Sequence, residues 1–190
     1  MVTIREEKFA DIAAREALLD EAYGAARLAK TSQRLREGRL PADGLSLVAV
    51  ERGCIVGTIR LWRIYAGAGR EVLLLGPLAV HPAHRNRGIG SALVRRVSTR
   101  ARLAGHRAIL LVGDAAYYGR FGFSAALTGR LWMPGRFDPD RLLGLELCRG
   151  ALADAHGLIG PAGEIEPKPD LKALIAAEGG ARPALVRRAA

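Results

Sequence analysis

The sequence predicts a mixed α/β domain: a mostly antiparallel, twisted sheet with one parallel strand–helix–strand unit at its centre. Three observations lead there. Residues 45–51, 54–64 and 72–80 are strand-length apolar runs, and Arg52-Gly53 between the first two is a tight hairpin signal. Residues 72–112 then read as strand, glycine loop, helix and strand, an order that makes the two strands parallel through a right-handed crossover. With a strand at 2–6 and two more runs near the end, the sheet reaches about seven strands, and 190 residues suffice for one domain with a sizeable core.

The elements follow in order. Alternation marks residues 2–6 as the first strand. Phe9, Ile12, Ala13, Ala17 and the run from Leu19 to Tyr23 fall at helical spacing around Asp11, Arg15 and Asp20, predicting a helix over 9–28 with its apolar side inward. A weaker helix covers 31–37 and stops at Gly38, ahead of the turn Pro41-Ala42-Asp43-Gly44. The run 72–80 contains Gly76-Pro77. Proline cannot donate to a ladder, so a bulge or edge is expected there. Ile89, Leu93, Val97 and Ala101 recur every four residues and define the buried face of a helix that ends near Gly105. A strand at 107–112 follows, then a short helix at 114–120 capped by Asp114. Residues 124–131 and 142–148, separated by Pro134-Gly135, are read as the last two strands, paired with each other. From Ala151 the composition shifts to Pro, Gly, Ala and charge. Residues 1–150 are therefore taken as the domain, and 151–190 as a flexible tail or a packed appendage carrying a short helix at 170–178.

Composition narrows the function classes. The formal charge of +10 attracts acidic ligands, but aromatics make up only 5 % and the arginines are dispersed, which argues against a dedicated nucleic-acid module. Cys54 and Cys148 stand far apart within apolar runs and are expected to be buried free thiols. Acidic Glu6 and Glu7 sit where a signal peptide would be apolar, and no apolar run approaches the roughly 20 residues of a membrane span, so a cytoplasmic chain is expected.

The most informative stretch is the loop Arg85-Asn86-Arg87-Gly88-Ile89-Gly90-Ser91. A helix start already carries partial positive charge and unpaired N–H groups. Two arginines there are unfavourable unless an anion joins them, and Gly88 and Gly90 let backbone N–H groups approach one. A phosphate or pyrophosphate suits the place. The P-loop is excluded, since no Gly-Lys pair occurs, and the dinucleotide fingerprint lacks its third glycine, Leu93 standing in its place. His81 and His84 have the spacing of a metal pair but no third ligand, so no metal is expected.

A third pattern fits better. The Arg85–Gly90 loop, preceded by Leu78-Ala79-Val80-His81-Pro82, resembles the acetyl-CoA signature of the GNAT superfamily of N-acetyltransferases. Tyr118-Gly119-Arg120-Phe121-Gly122-Phe123 resembles that family's Y-x-x-x-G-F segment, at the expected distance and in the expected order. The resemblance covers residues 1–149. It implies a GNAT-like sheet with helices on both faces, acetyl-CoA as acyl donor, and an amine acceptor whose pocket is shaped by the helical region 9–37 and the loop after it. It implies pyrophosphate binding by Arg85, Asn86, Arg87, Gly88, Ile89, Gly90 and Ser91, and thioester binding by the backbone of Leu78, Ala79 and Val80. The pantetheine arm would lie where Gly76-Pro77 parts two strands. Tyr118 would protonate the departing thiolate, a role suited to a phenol of pKa near 10.

The family's strand carboxylate is missing, because residues 72–75 are all apolar, and Glu71, His81 or a water remain as candidates for the base. The expected function is direct acetyl transfer in a ternary complex. The competing readings are a non-catalytic acyl-CoA sensor and, more distantly, a nucleotide-binding oxidoreductase. Neither nucleic acid nor membrane is expected as a partner; a homodimer stays open, as does the acceptor.

Overall fold

In the computed structural model, residues 1–167 are described. Nine strands form one sheet whose main path runs β1-β2-β3-β4-β6-β8. The strands are β1 (Thr3–Glu6), β2 (Ser46–Glu51), β3 (Cys54–Ala66), β4 (Glu71–Leu75), β5 (Ala79–Val80), β6 (Ala108–Val112), β7 (Leu131–Trp132), β8 (Leu142–Glu146) and β9 (Gly157–Pro161). Four α-helices accompany them: α1 (Ile12–Tyr23), α2 (Thr31–Arg34), α3 (Ile89–Leu103) and α4 (Ala115–Gly119). The first four strands are a meander, with Arg52 and Gly53 both at positive φ (50° and 80°) in the β2–β3 hairpin. The β4–β6 pair is parallel across α3, as the order strand–helix–strand requires.

Alternation along the central strands divides the core into two layers. Leu73, Leu75, Ile109 and Leu111 face the α3 side, where they meet Ile89, Leu93, Val94, Val97 and Ala101. Val72, Leu74, Ala108 and Leu110 face the other side and pack on Leu35, Met133 and Ile159. The four-residue period of α3 thus marks its buried face, and Val94 widens it.

Other expectations are corrected. The helix expected over 9–28 is broken into a 3-10 turn, α1 and a second 3-10 turn, because Gly24 (φ 64°) terminates α1. Its buried face is Arg15, Leu18 and Leu19, while Phe9 is 89 % exposed. Arg15 can be buried because Glu7 and Glu16 both pair with it, an arrangement invisible to apolar periodicity. Residues 124–130 are not a strand, and only Leu131 of the expected run belongs to one, β7. The Ser124 hydroxyl accepts from the Ala126 N–H at 3.2 Å and turns the chain into a 3-10 turn, so that Ser124–Gly144 is an isolated bridge. Cys54 and Cys148 are exposed rather than buried, since each falls at a strand end beside a turn.

After Arg149 the chain stays against the sheet through Pro161. Ala151, Leu152, Ala155 and Ile159 are buried, and β9 pairs antiparallel with β3 at Ile64–Ala66 and parallel with β7. The pairing expected between 124–131 and 142–148 is reduced to the Ser124–Gly144 bridge; β8 pairs with β6 instead, and β7 and β9 raise the strand count above seven. The helix expected at 170–178 lies outside the described residues.

Candidate functional site

A gap in the sheet creates the site. β4 bonds to β6 at Leu73–Ile109 and Leu74–Leu110, and the chain then reaches Gly76-Pro77. The Gly76 N–H still donates to the Arg60 carbonyl at 2.8 Å, but Pro77 has no N–H, and the strand leaves β6. It rejoins β3 alone as β5, opposite Gly57 and Thr58. Glycine is needed at the parting: a Cβ on Gly76 would stand 2.0 Å from Trp62 Cζ3. The His81 N–H donates to the Val56 carbonyl at 3.0 Å. By strand alternation, the polar backbone of Ala79 then faces β3, and that of Leu78 and Val80 faces the opening. The Leu78 carbonyl is available there, for it accepts the Tyr23 hydroxyl.

The loop after β5 supplies the positive end. Asn86 (φ 60°) and Gly88 (φ 76°) are both left-handed, and Gly88 is the N-cap of α3 with no side-chain cap of its own. The N–H groups of Ile89, Gly90 and Ser91 are first-turn donors with no helical acceptor. They border a cavity of about 490 Å³ whose wall also includes Arg85, Asn86 and Arg120. Arg87 turns away, held by both carboxylate oxygens of Glu51 at 2.9 and 2.7 Å, and Glu51 in turn is drawn to a pKa of about 2 by that hydrogen bonding. His84 Nε2 stands 3.0 Å from the same carboxylate, so Glu51 braces the loop from outside.

Two further cavities continue from this one. The middle cavity, about 300 Å³, lies between Tyr23, Leu78, Val80, Gly90, Tyr117 and Tyr118. The third, about 230 Å³, runs past Gly76, Pro77 and Tyr118 to Arg36 and Arg141. Val80, Arg85, Gly90 and Tyr117 are common to the first and second cavities, and Tyr23, Leu78, Asp114 and Tyr118 to the second and third. A single cleft therefore runs from the cationic loop, past the exposed edge of β5, to the parting of the strands.

Tyr118 stands mid-cleft on α4, packed against Tyr117 and Phe123 at ring-centroid distances of 4.9 and 5.8 Å. Burial, helped by the neighbouring Tyr23 and Tyr117 phenols, pushes its hydroxyl above the ordinary tyrosine range. The Asp114 carboxylate, the one acid bordering these cavities among the described residues, is engaged as the α4 cap, accepting the Tyr117 N–H at 2.6 Å.

A profile of the acetyltransferase (GNAT) family matches residues 12–123. The chain belongs to the GNAT family. The Uncharacterized N-acetyltransferase YjhQ of Escherichia coli (strain K12) is 34 % identical over 105 residues, which is 54 % of this chain and 58 % of that protein's length. The GNAT family N-acetyltransferase YhbS of Escherichia coli, solved in complex with CoA, superposes with a TM-score of 0.73 at 27 % identity, over 85 % of this chain and 89 % of that one. A GNAT family acetyltransferase from Brucella melitensis, solved in complex with acetyl-CoA, gives 0.59 at 28 % identity, over 88 % and 96 %.

On this GNAT fold, Leu78, Ala79, Val80, Arg85, Asn86, Gly88, Ile89, Gly90, Ser91 and Tyr118 come together along the cleft. Arg87 does not join them. Neither side chain offered as a base borders the three cavities. Glu71 pairs with Arg63 at 3.0 Å at the start of β4, and His81 Nδ1 accepts from the Ala83 N–H, with Nε2 3.6 Å from Glu21. Sequence reasoning missed Tyr23, Tyr117, Arg36 and Arg120. Only Arg120 carried a signal, being a cation inside the Y-x-x-x-G-F segment. No described helix is long and apolar enough to cross a membrane, and no group of three or more metal-ligating side chains occurs among the described residues.

Proposed function

We propose that this chain transfers an acetyl group from acetyl-CoA to an amine, by direct transfer within a ternary complex. The observation that carries the reading is the continuity of the cleft: cationic loop, outward-facing strand edge and half-buried phenol occur in the order in which a CoA thioester presents phosphate, pantetheine and sulfur. The residues fit that molecule. The Cβ that Gly90 lacks would project into the cleft, 2.8 Å from the Tyr117 hydroxyl, so this glycine keeps the cradle open. The N–H groups of residues 89–91, with Arg85 and Arg120, would hold the pyrophosphate. The outward-facing backbone of Leu78 and Val80 would pair with the arm in the manner of an added strand, once the Tyr23 hydroxyl releases the Leu78 carbonyl.

Acetyl-CoA supplies the acyl group as a thioester, whose C–S bond breaks as the N–C bond of the amide forms. Tyr118 is protonated at neutral pH as a phenol ordinarily is, its partial burial raising its pKa further, and it delivers that proton to the departing sulfur. Among the described residues the one carboxylate on the cleft, Asp114, caps α4 through Oδ1, so a water is assigned the proton of the amine. The cleft lowers the demand on it. Arg27, Lys30, Arg36 and Arg141 border the third cavity, and like charge at close range favours the neutral form of an incoming ammonium group.

A thermal-shift series with acetyl-CoA, CoA, NADH and ATP at matched concentration tests the reading. A ligand at about 100 times its dissociation constant stabilises by roughly 2.7 kcal/mol. A shift with the two CoA species alone, followed by amine-dependent thiol release from acetyl-CoA, is expected. Absence of a CoA shift would overturn the assignment of the cleft. A CoA shift with no thiol release across an amine library would instead favour an acyl-CoA-binding module, the reading to which the missing carboxylate lends weight.

A further inference from the structure

Arg36 is a buried cation that no described carboxylate pairs with. It is only 9 % exposed, and burial, then repulsion from Arg27 and Arg60, pulls its pKa down to about 10. A buried cation is costly unless an anion accompanies it. Its neighbours are compensated. Arg15 pairs with Glu7 and Glu16, Arg27 with Glu16 and Asp20, and Arg60 approaches Glu7 at 3.6 Å, so three arginines answer three carboxylates. Arg36 makes no ion pair with that network, although Glu16 attracts it from a distance. No carboxylate of the described residues is within ion-pair distance of it, and Glu37 and Glu166, on the adjoining cavity, form no ion pair with it.

Its guanidinium is nevertheless held firmly. Nε donates to Gln33 Oε1 at 2.7 Å, and the plane lies over the Trp62 ring at 5.3 Å, while Arg60 approaches the same ring at 5.1 Å. Trp62 is itself fixed by its Nε1–H, which donates to the Arg39 carbonyl at 3.2 Å. One terminal nitrogen, Nη1, lies 2.9 Å from the point where a Gly76 Cβ would be. That places it at the parting of β4 and β5, on the wall of the third cavity, which Tyr118 also borders. A positioned, buried guanidinium with no carboxylate of the described residues in ion-pair range therefore faces the end of the cleft where the reacting groups would meet.

We infer that Arg36 is a specificity-determining residue that binds an anionic group on the acceptor, so that the preferred substrates are small amines bearing a carboxylate or phosphate a few bonds from the nitrogen. The inference rests on the acetyl-transfer reading. It deepens that reading by naming the acceptor class. A guanidinium makes paired hydrogen bonds to carboxylate and phosphate alike, so both anions belong to the same chemistry. Lys30 and Arg141 at the same cavity add to the attraction, and Asp114, its one acid among the described residues, caps α4 through Oδ1. A polyamine would meet three cations there that no described carboxylate pairs, Lys30, Arg36 and Arg141, against that single acid.

The test uses matched pairs: glycine against glycinamide, and phosphoethanolamine against ethanolamine, with spermidine as the polycation. Each is measured by thiol release from acetyl-CoA, and by thermal shift of the CoA-saturated protein at constant ionic strength, so that the loop is already filled. Wild type should favour the anionic member of at least one pair by about ten- to a hundredfold in kcat/KM, the worth of one charge-assisted contact, and should be stabilised by it. The carboxylate and phosphate pairs decide which anion is preferred. Arg36→Gln should abolish the discrimination with CoA affinity unchanged, and Arg36→Lys should retain part of it. Equal use of both members of both pairs, preference for spermidine, or discrimination that survives in Arg36→Gln would overturn the inference. Anion-dependent stabilisation that Arg36→Gln removes, seen without any thiol release, would leave the anion site standing and remove acetyl transfer instead.

Discussion

Replacing Gly90 with alanine adds one methyl group on the wall shared by the first two cavities of the cleft. The new Cβ would lie 2.8 Å from the Tyr117 hydroxyl, 3.6 Å from Val80 Cγ2 and 3.9 Å from Leu78 Cδ2. The first contact is with the far end of a side chain and can be relieved by a swing of the phenol; the other two are ordinary packing distances. Gly90 is not among the glycines at positive φ, and alanine is the better helix former by about 1 kcal/mol. The folded protein should therefore melt at the same temperature or about 2–4 °C higher. Ligand binding should respond in the opposite direction. The methyl separates the first-turn N–H groups from an anion resting on them, and one lost charge-assisted hydrogen bond is worth about 1.5–3 kcal/mol, or about 10- to 150-fold in Kd. Gly90→Glu adds a negative charge at the same spot and should weaken binding further. Calorimetric titration with CoA, beside unliganded melts of all three proteins, measures both quantities. Intact melting with a CoA Kd within about twofold of wild type in both variants would refute the assignment of the loop.

Three other outcomes are expected. Tyr118→Phe should lower kcat by about 10²- to 10⁴-fold, with acetyl-CoA affinity nearly unchanged. Since burial raises this phenol above its ordinary value of 10.0, the alkaline limb in kcat caused by loss of its proton should lie above that pH. Ile159→Ala, at a fully buried position of β9, should cost about 2–5 kcal/mol by leaving a cavity, read as the urea midpoint; a surface-like effect would mean that β9 is not part of the core. Asp11 is held at about 2, below its ordinary 3.8, chiefly by hydrogen bonds from Arg5, with the Lys8 N–H also contributing. Its lowered pKa stabilises the fold above pH 3.8 and ceases to do so as pH falls towards 2, so the melting temperatures of wild type and Asp11→Asn should differ at pH 7 and converge across that window.

What could be read from the chain depended on how local the cause was. The buried face of α3, the anion-ready loop and the parting at Gly76-Pro77 all follow from residues within one short stretch, where periodicity, missing Cβ atoms and a missing N–H act directly. β9 could not be seen this way. Its five residues, Gly157–Pro161, contain two glycines and a proline, and its strand character comes from pairing with Ile64–Ala66, far away in sequence. Arg15 and Arg36 were hidden for a related reason: a charge reads as surface until its partners, or its lack of them, are known in space. Tyr117 and Tyr118 look alike in sequence. Only the fold shows that one meets the helix start at Gly90 while the other sits against Gly113, farther along the cleft.

The thirteen residues of β3 bond to β2, β4, β5 and β9. Both banks of the cleft, β4 with its partner β6 on one side and β5 on the other, are thus moored to the same strand. Neither can swing without breaking a ladder that the rest of the sheet also uses. The gap is built at folding, before any ligand arrives. Reorganisation on binding falls to side chains such as Tyr23, whose rotamer changes are fast compared with sheet motions. Stopped-flow association with CoA should accordingly show one phase whose rate rises linearly with concentration, and the amides at the middle of β3 should be among the last to exchange their hydrogens.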